Sequence, residues 1–408
     1  MATPSPFVRG AMVFTGVLVS CVVIAFGRLA YGLILPYMRE HLALSYGQVG
    51  TLGTVTALGY LGLVMVAGIC ATRWGGRLTT LLGLIMVTSG FFGMSLSSAY
   101  PWLLAYMALL GIGTAFTYTP MVSLIAAWNL QRRGLVIGLL SSGVGLGMLL
   151  AGLIVPHFAE HDVDGWRLAW RSFGVVGVIV IAMVFAFFRN PPAAAADAPP
   201  PTRRLDIYRN PRVLTVGVLY GIVGLTYIVQ SVFMVSYALS SGVSAATAGK
   251  LVAANGLVAL GCGPAWGWIS DRIGRGTALI LAMSAATIAT AIPVVYPVLP
   301  GFIAHYCLLA LTISGLFALV QTAGTEQVPP RDSPVAFSYV TLFFAFGQFA
   351  GPAMAGWLID ISGFRAAFLC TTAIMLIGIA LTVQVWRFGR PVGAVAASPP
   401  TRTDSKAA

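Results

Sequence analysis

Arg28 lies seventeen residues into an apolar stretch running from about Ala11 to Leu35 that contains no Asp or Glu. If that stretch crosses a lipid bilayer, its guanidinium costs about 2.5 to 3.5 kcal/mol or more to hold there, so it requires a partner. A carboxylate is the partner that fits, because the planar fork of a guanidinium donates two parallel hydrogen bonds to it. Arg28 therefore points to recognition of a small anion. The alternative is a structural arginine that reaches outward to water or headgroups, or donates to carbonyls of neighbouring helices. Tyr31 falls on the same helical face, together with Cys21, Ala25 and Gly32, most of them small enough to leave room beside the charge.

The remaining polar groups inside apolar stretches are uncharged. Tyr220, Gly224, Tyr227 and Ser231 recur at helical spacing with Gln230 beside them, and Thr56, Tyr60, Thr114, Tyr118, Ser141, Ser142, Asn255 and Gln348 are scattered through others. A hydroxyl stripe avoids lipid, so it lines a cavity or bonds between helices. The candidate substrate-binding set is Arg28, Tyr31, Tyr60, Tyr118, Tyr220, Tyr227, Gln230 and Asn255. His305 is the one histidine within an apolar stretch, which makes it the candidate proton carrier. The competing reading is an interfacial histidine beside Tyr306. The apolar stretches hold no nucleophile with a base, no phosphate-binding loop and no paired carboxylates, and the five cysteines form no CxxC spacing. An enzyme, a metal site and a cofactor are therefore not expected.

These groups sit in a chain of 408 residues with 58% hydrophobic and 8% charged residues and a mean hydropathy of +0.90. Apolar stretches of about twenty residues imply an all-α membrane protein and exclude a β-barrel, whose strands alternate over about ten residues. Spans are expected near 11–35, 48–72, 78–96, 101–127, 134–157 and 168–188, then 213–237, 247–269, 276–295, 301–323, 335–359 and 365–386. The first is too long for a signal-peptide core and is read as a retained helix. Twelve spans form an N-terminal half (1–188) and a C-terminal half (213–389), joined by a Pro- and Ala-rich linker (189–212) and followed by a disordered tail (390–408). Of 23 Lys and Arg, seventeen fall on the side of both termini and the linker and five on the other, with Arg28 inside a span. That asymmetry places both termini in the cytoplasm and explains the net charge of +12 without nucleic acid.

The halves repeat. An offset of 199 aligns Gly50 with Gly249, Gly62 with Gly261, Gly68 with Gly267, Arg73 with Arg272 and Gly75 with Gly274, and places Tyr227 at the counterpart of Arg28. After the eighth span the sequence reads Gly267-Trp-Ile-Ser-Asp271-Arg272-Ile-Gly274-Arg275; its N-half counterpart, Gly68 to Arg77, has Thr72 where the acid would be. The first of these loops resembles the G-x-x-x-D-R-x-G-R signature of the major facilitator superfamily. Phe26-Gly27-Arg28-Leu-Ala-Tyr31-Gly32 with Pro36, and Trp128 followed by Arg132-Arg133-Gly134, Gly138, Gly143 and Gly147, are similar to a bacterial branch labelled YbfB/YjiJ-like. A more distant similarity extends to monocarboxylate and oxalate/formate porters. The resemblance implies two six-helix halves that rock about a central site, gated by loops carrying Arg73, Arg77, Asp271, Arg272 and Arg275. Asp271 is expected to latch onto the N-terminal amides of a neighbouring helix, against the alternative of a plain positive loop.

Together these readings anticipate a monomeric secondary transporter of a small organic anion, a monocarboxylate first, moved by alternating access in a bacterial inner membrane with proton coupling through His305. The alternative is an exporter of neutral or amphipathic drugs, sugars or metabolites. Beyond substrate and membrane lipid no partner is expected.

Overall fold

The apolar stretches are helices because hydrocarbon offers no partner for backbone N–H and C=O groups, which must be satisfied within each segment. A computed structural model describes residues 5–129, 133–159, 164–190, 204–328 and 333–388. The first rod, α1, has three parts: Pro6–Ser20, a π-helical segment Cys21–Leu29, and Tyr31–His41. The N-terminal half continues with α2 (Tyr46–Trp74), α3 (Gly76–Leu96), α4 (Tyr100–Trp128), α5 (Arg133–Ala159) and α6 (Gly165–Phe187). The C-terminal half comprises α7 (Pro211–Ser240), α8 (Ala245–Ile273), α9 (Arg275–Val295), α10 (Leu299–Thr325) and the helical run Ser333–Arg387. Gly363, with φ of 78°, divides that run into α11 (333–362) and α12 (364–387). Among the described residues ten helical segments meet length and hydropathy requirements for crossing a membrane. Dividing the last at Gly363 and adding the 29-residue α8 gives twelve.

Three boundaries differ from expectation. The first span extends over 6–41, because Pro36 sits inside the rod without ending it. No loop separates α11 from α12; a glycine at positive φ turns the chain within one residue. Within the expected linker a short helix, Arg204–Tyr208, forms, and α7 is under way at Pro211, where the Asn210 side chain accepts from the Arg212 amide. Residues 191–203 and the expected tail 390–408 lie outside the described residues.

Aromatic stacking organises each half. Phe26 stacks on Phe173 at 4.1 Å beside Phe91 and Trp170, and Tyr220 stacks on Phe344 at 4.4 Å. The halves meet backbone to backbone at glycines. A Cβ at Gly32 would strike the Ser231 carbonyl, at Gly50 the Pro352 carbonyl, at Gly356 the Tyr46 carbonyl, and at Gly152 the Gly249 carbonyl. All these contacts lie toward the face opposite Ser5 and Phe388, here the far face. Thr54 reinforces them, donating to the Phe349 carbonyl (2.9 Å) and accepting from the Ala353 amide (3.1 Å). The protein is thus closed at its far face. Toward the near face, Gly62, Gly68 and Gly138 have open space where a Cβ would be. Within α5, Gly143 and Gly147 seat the helix on α1, against Val17, Cys21 and Ala25.

Candidate substrate site around Arg28

Arg28 occupies the last turn of the π-helical segment. Its i→i+5 pattern, completed by the Ala30 amide on the Ala25 carbonyl at 2.7 Å, widens the helix and changes its register relative to an α-helix. Thr114 Oγ1 donates to the Val23 carbonyl within this segment (3.1 Å) and to Leu110 of its own helix (2.8 Å), pinning α4 to it. In this register Arg28 reaches the other half of the protein. Its Nη2 donates to Gln348 Oε1 of α11 at 2.8 Å, and its guanidinium lies 4.8 Å from the ring centroid of Tyr60 on α2. Gln348 is buried, with 7% exposure. Among the described residues Arg28 forms no salt bridge. The cation therefore keeps its net charge and has further N–H donors available.

The other polar candidates differ in how far their hydrogen bonds are committed. Tyr31 is fully buried and its hydroxyl donates to the Val49 carbonyl at 2.8 Å, so it braces α1 against α2. Tyr227 comes close to Arg28 and Ser231 and meets Phe317 edge-on at 5.0 Å. Tyr118 lies beside Ser141, while Tyr220 accepts from Gln321 Nε2 at 2.7 Å. Ser141 and Ser142 donate to carbonyls of α5 itself, as Thr56 does to Leu52 in α2. Gln230 donates to the Thr226 carbonyl at 3.2 Å; its Oε1, like Asn255 Oδ1, is buried without a partner among the described residues. On the far-face side of Arg28 a cavity of about 10 Å³ is bounded by Tyr31, Gly53, Thr56 and Ile228. It has room for roughly one water.

His305 is fully buried between α10 and α9. Its Nδ1 is 2.7 Å from the Ala289 carbonyl, joining α10 to α9, and Nε2 has no partner among the described residues. The loop residues divide into engaged and free. Arg77 Nη2 donates to the Phe185 carbonyl (2.6 Å) and its amide to Asn190 Oδ1 (2.9 Å). Arg275 pairs with Glu326 at 3.0 Å, and Arg272 stacks 3.7 Å from the Trp268 ring. Arg77 and Arg275 thus tie helices within their own halves, whereas Arg73 and Asp271 are exposed. Sequence reasoning counted Gln348 only among cavity contributors and missed its bond to Arg28. It also missed the π-helical segment and the cross-half role of Thr54, for which no sequence pattern exists.

Twelve membrane-crossing helices in two repeated halves, closed on each other at one face with an isolated cation between them, define a transporter of the major facilitator type. Residues 20–383 match the family described as "Uncharacterised MFS-type transporter YbfB", and the chain belongs to that family. It is a membrane transporter and not an enzyme. It is 24% identical over 366 residues to the oxalate:formate antiporter of Oxalobacter formigenes, covering 87% of this chain and 86% of the relative. Monocarboxylate transporter 11 of Homo sapiens is likewise 24% identical over 396 residues, covering 89% and 81%. A solved structure of a bacterial homolog to the human lysosomal transporter Spinster, inward-facing and unoccupied, shares the fold. Its TM-score is 0.80 at 18% identity, covering 94% of this chain and 98% of that one.

Proposed function

We propose that this protein carries a small organic anion, a monocarboxylate first, by alternating access, with Arg28 holding the negative charge. The observation that carries the reading is a membrane-embedded guanidinium whose one hydrogen-bond partner among the described residues is neutral Gln348, over the Tyr60 ring. A carboxylate arriving from the near face replaces the Gln348 carbonyl as acceptor, gains a charge-assisted pair, and neutralises the cation for passage. Tyr60, Tyr118, Tyr220 and Tyr227 form the walls, Gln230 and Asn255 supply unpaired acceptors for a hydroxyl of the solute, and Tyr31 positions the helix bearing Arg28. The kinship to an oxalate:formate antiporter and a monocarboxylate transporter supports this substrate class. The loops with Arg73, Arg77, Asp271, Arg272 and Arg275 gate the near face, which the excess of basic residues assigns to the cytoplasm of a bacterial inner membrane. His305 is the candidate proton carrier, through its unpartnered Nε2.

The test is a thermal-shift series on purified protein with formate, oxalate and lactate against glucose and choline. A ligand that binds only the folded state raises its stability by RT ln(1 + [L]/Kd), so the carboxylates are expected to raise Tm with concentration. Stabilisation by the neutral solute and not by the carboxylates overturns the reading in favour of a neutral-solute exporter.

A further inference from the structure

Helix α2 begins with an incompletely self-satisfied end. Its first amides have no intrahelical acceptors and need outside partners. Ser45 and Gln48 form a reciprocal capping box: Ser45 Oγ accepts from the Gln48 amide (3.1 Å), and the Gln48 side chain accepts from the Ser45 amide (2.9 Å). The two amides between them, Tyr46 and Gly47, are satisfied by the other half. Asp360, near the far end of α11, accepts from Tyr46 N at 2.8 Å through Oδ1 and from Gly47 N at 2.7 Å through Oδ2. Both carboxylate oxygens thus face the positive end of a helix dipole across the boundary between halves.

The surroundings are built for this contact. A Cβ on Gly47 would stand 3.0 Å from Asp360 Oδ2, and one on Gly356 would collide with the Tyr46 carbonyl. The Tyr46 ring flanks the contact, lying 4.3 Å from the Arg39 guanidinium carbon and edge-on to Phe364 of the opposite half at 4.9 Å, while Asp360 itself stays exposed to solvent. At the near face another acid of the same half, Asp271, is exposed and makes no hydrogen bond or ion pair among the described residues.

We infer that Asp360 is the latch of the far face, holding the halves together by completing the N-terminus of α2, and that opening of this face requires its carboxylate to withdraw from the Tyr46 and Gly47 amides. In the far-open state those two amides pass to water, so the latch biases the cycle toward the closed state without blocking the reverse. The bias is independent of the solute carried and rests only on the alternating exchange of the two faces.

Spin-label distances test it on the full chain without substrate, with the five native cysteines replaced. One pair, at Trp102 and Ile361, spans the halves at the far face; another, at Trp74 and Ile273, spans them at the near face. All four positions are exposed. Loss of two charge-assisted bonds in Asp360→Ala is expected to raise the far-open population on the order of ten-fold, lengthening the first distance and shortening the second. Asp360→Asn keeps the shape and gives a readout if the alanine variant does not fold; it should shift in the same direction, while Asp360→Glu shifts least. Unchanged distances in a monodisperse variant overturn the inference. So does simultaneous lengthening of both pairs, which marks general loosening.

Discussion

Replacing Arg28 by glutamine separates a substrate-binding charge from a structural one. In the folded protein Arg28 makes one hydrogen bond from a charged donor, to Gln348 at 2.8 Å, and one cation–π contact, with Tyr60 at 4.8 Å. Those interactions contribute about 1.5 to 3 kcal/mol and about 0.5 to 2 kcal/mol respectively. Against them stands the cost of a cation within the membrane, about 2.5 to 3.5 kcal/mol. The two sides nearly cancel, and a glutamine at position 28 retains an amide to donate to Gln348, so Arg28→Gln is expected to leave Tm nearly unchanged. Affinity should behave differently. A carboxylate loses its charge-assisted pair, about 3 kcal/mol, so binding weakens on the order of 100-fold. Arg28→Lys keeps the charge but not the planar fork, and should fall between the two. Calorimetric titration with formate and a melting curve on the same preparations measure both quantities. Unchanged affinity in Arg28→Gln, with or without a fall in Tm, refutes anion recognition by this residue.

Two further expectations address orientation and coupling. Single cysteines introduced at positions 190–210 should react with an impermeant thiol reagent only after the cell membrane is permeabilised; labelling of intact cells would reverse the assignment of faces. His305→Gln should lose uptake driven by a pH gradient while retaining solute exchange in proteoliposomes at equal pH, and proton-driven uptake at the wild-type rate would remove His305 from the coupling path.

The membrane class, the twelve helices and their repeat were legible from residues 1 to 408 because hydrophobicity over about twenty residues is a local property and bilayer thickness fixes the length. Boundaries were less so. The sequence places turn residues around Gly363, but only backbone geometry shows that α11 and α12 are joined without a loop. The π-helical segment in α1 has no compositional mark, since Cys21 to Leu29 would be equally apolar in an α-helix. It is held by a hydroxyl from α4, Thr114, which no one-dimensional pattern links to Val23.

The candidate site divides along the same line. That Arg28 is a cation in an apolar helix with no acid among the predicted spans follows from charge placement alone, and with it the expectation of an anionic partner. Tyr31 illustrates the limit: its position on the Arg28 face was readable, but its hydroxyl is directed to the Val49 carbonyl of α2. What occupies the guanidinium was decided by tertiary structure, because Gln348 lies 320 residues away and reaches it across the boundary between the halves. Asp360 is similar, 314 residues from Tyr46, and reads in sequence as an ordinary acid at a helix end. Hydropathy and charge are properties of single segments and survive in the unfolded chain. A hydrogen bond between halves depends on the register and packing of two helices at once, so only the folded molecule determines it.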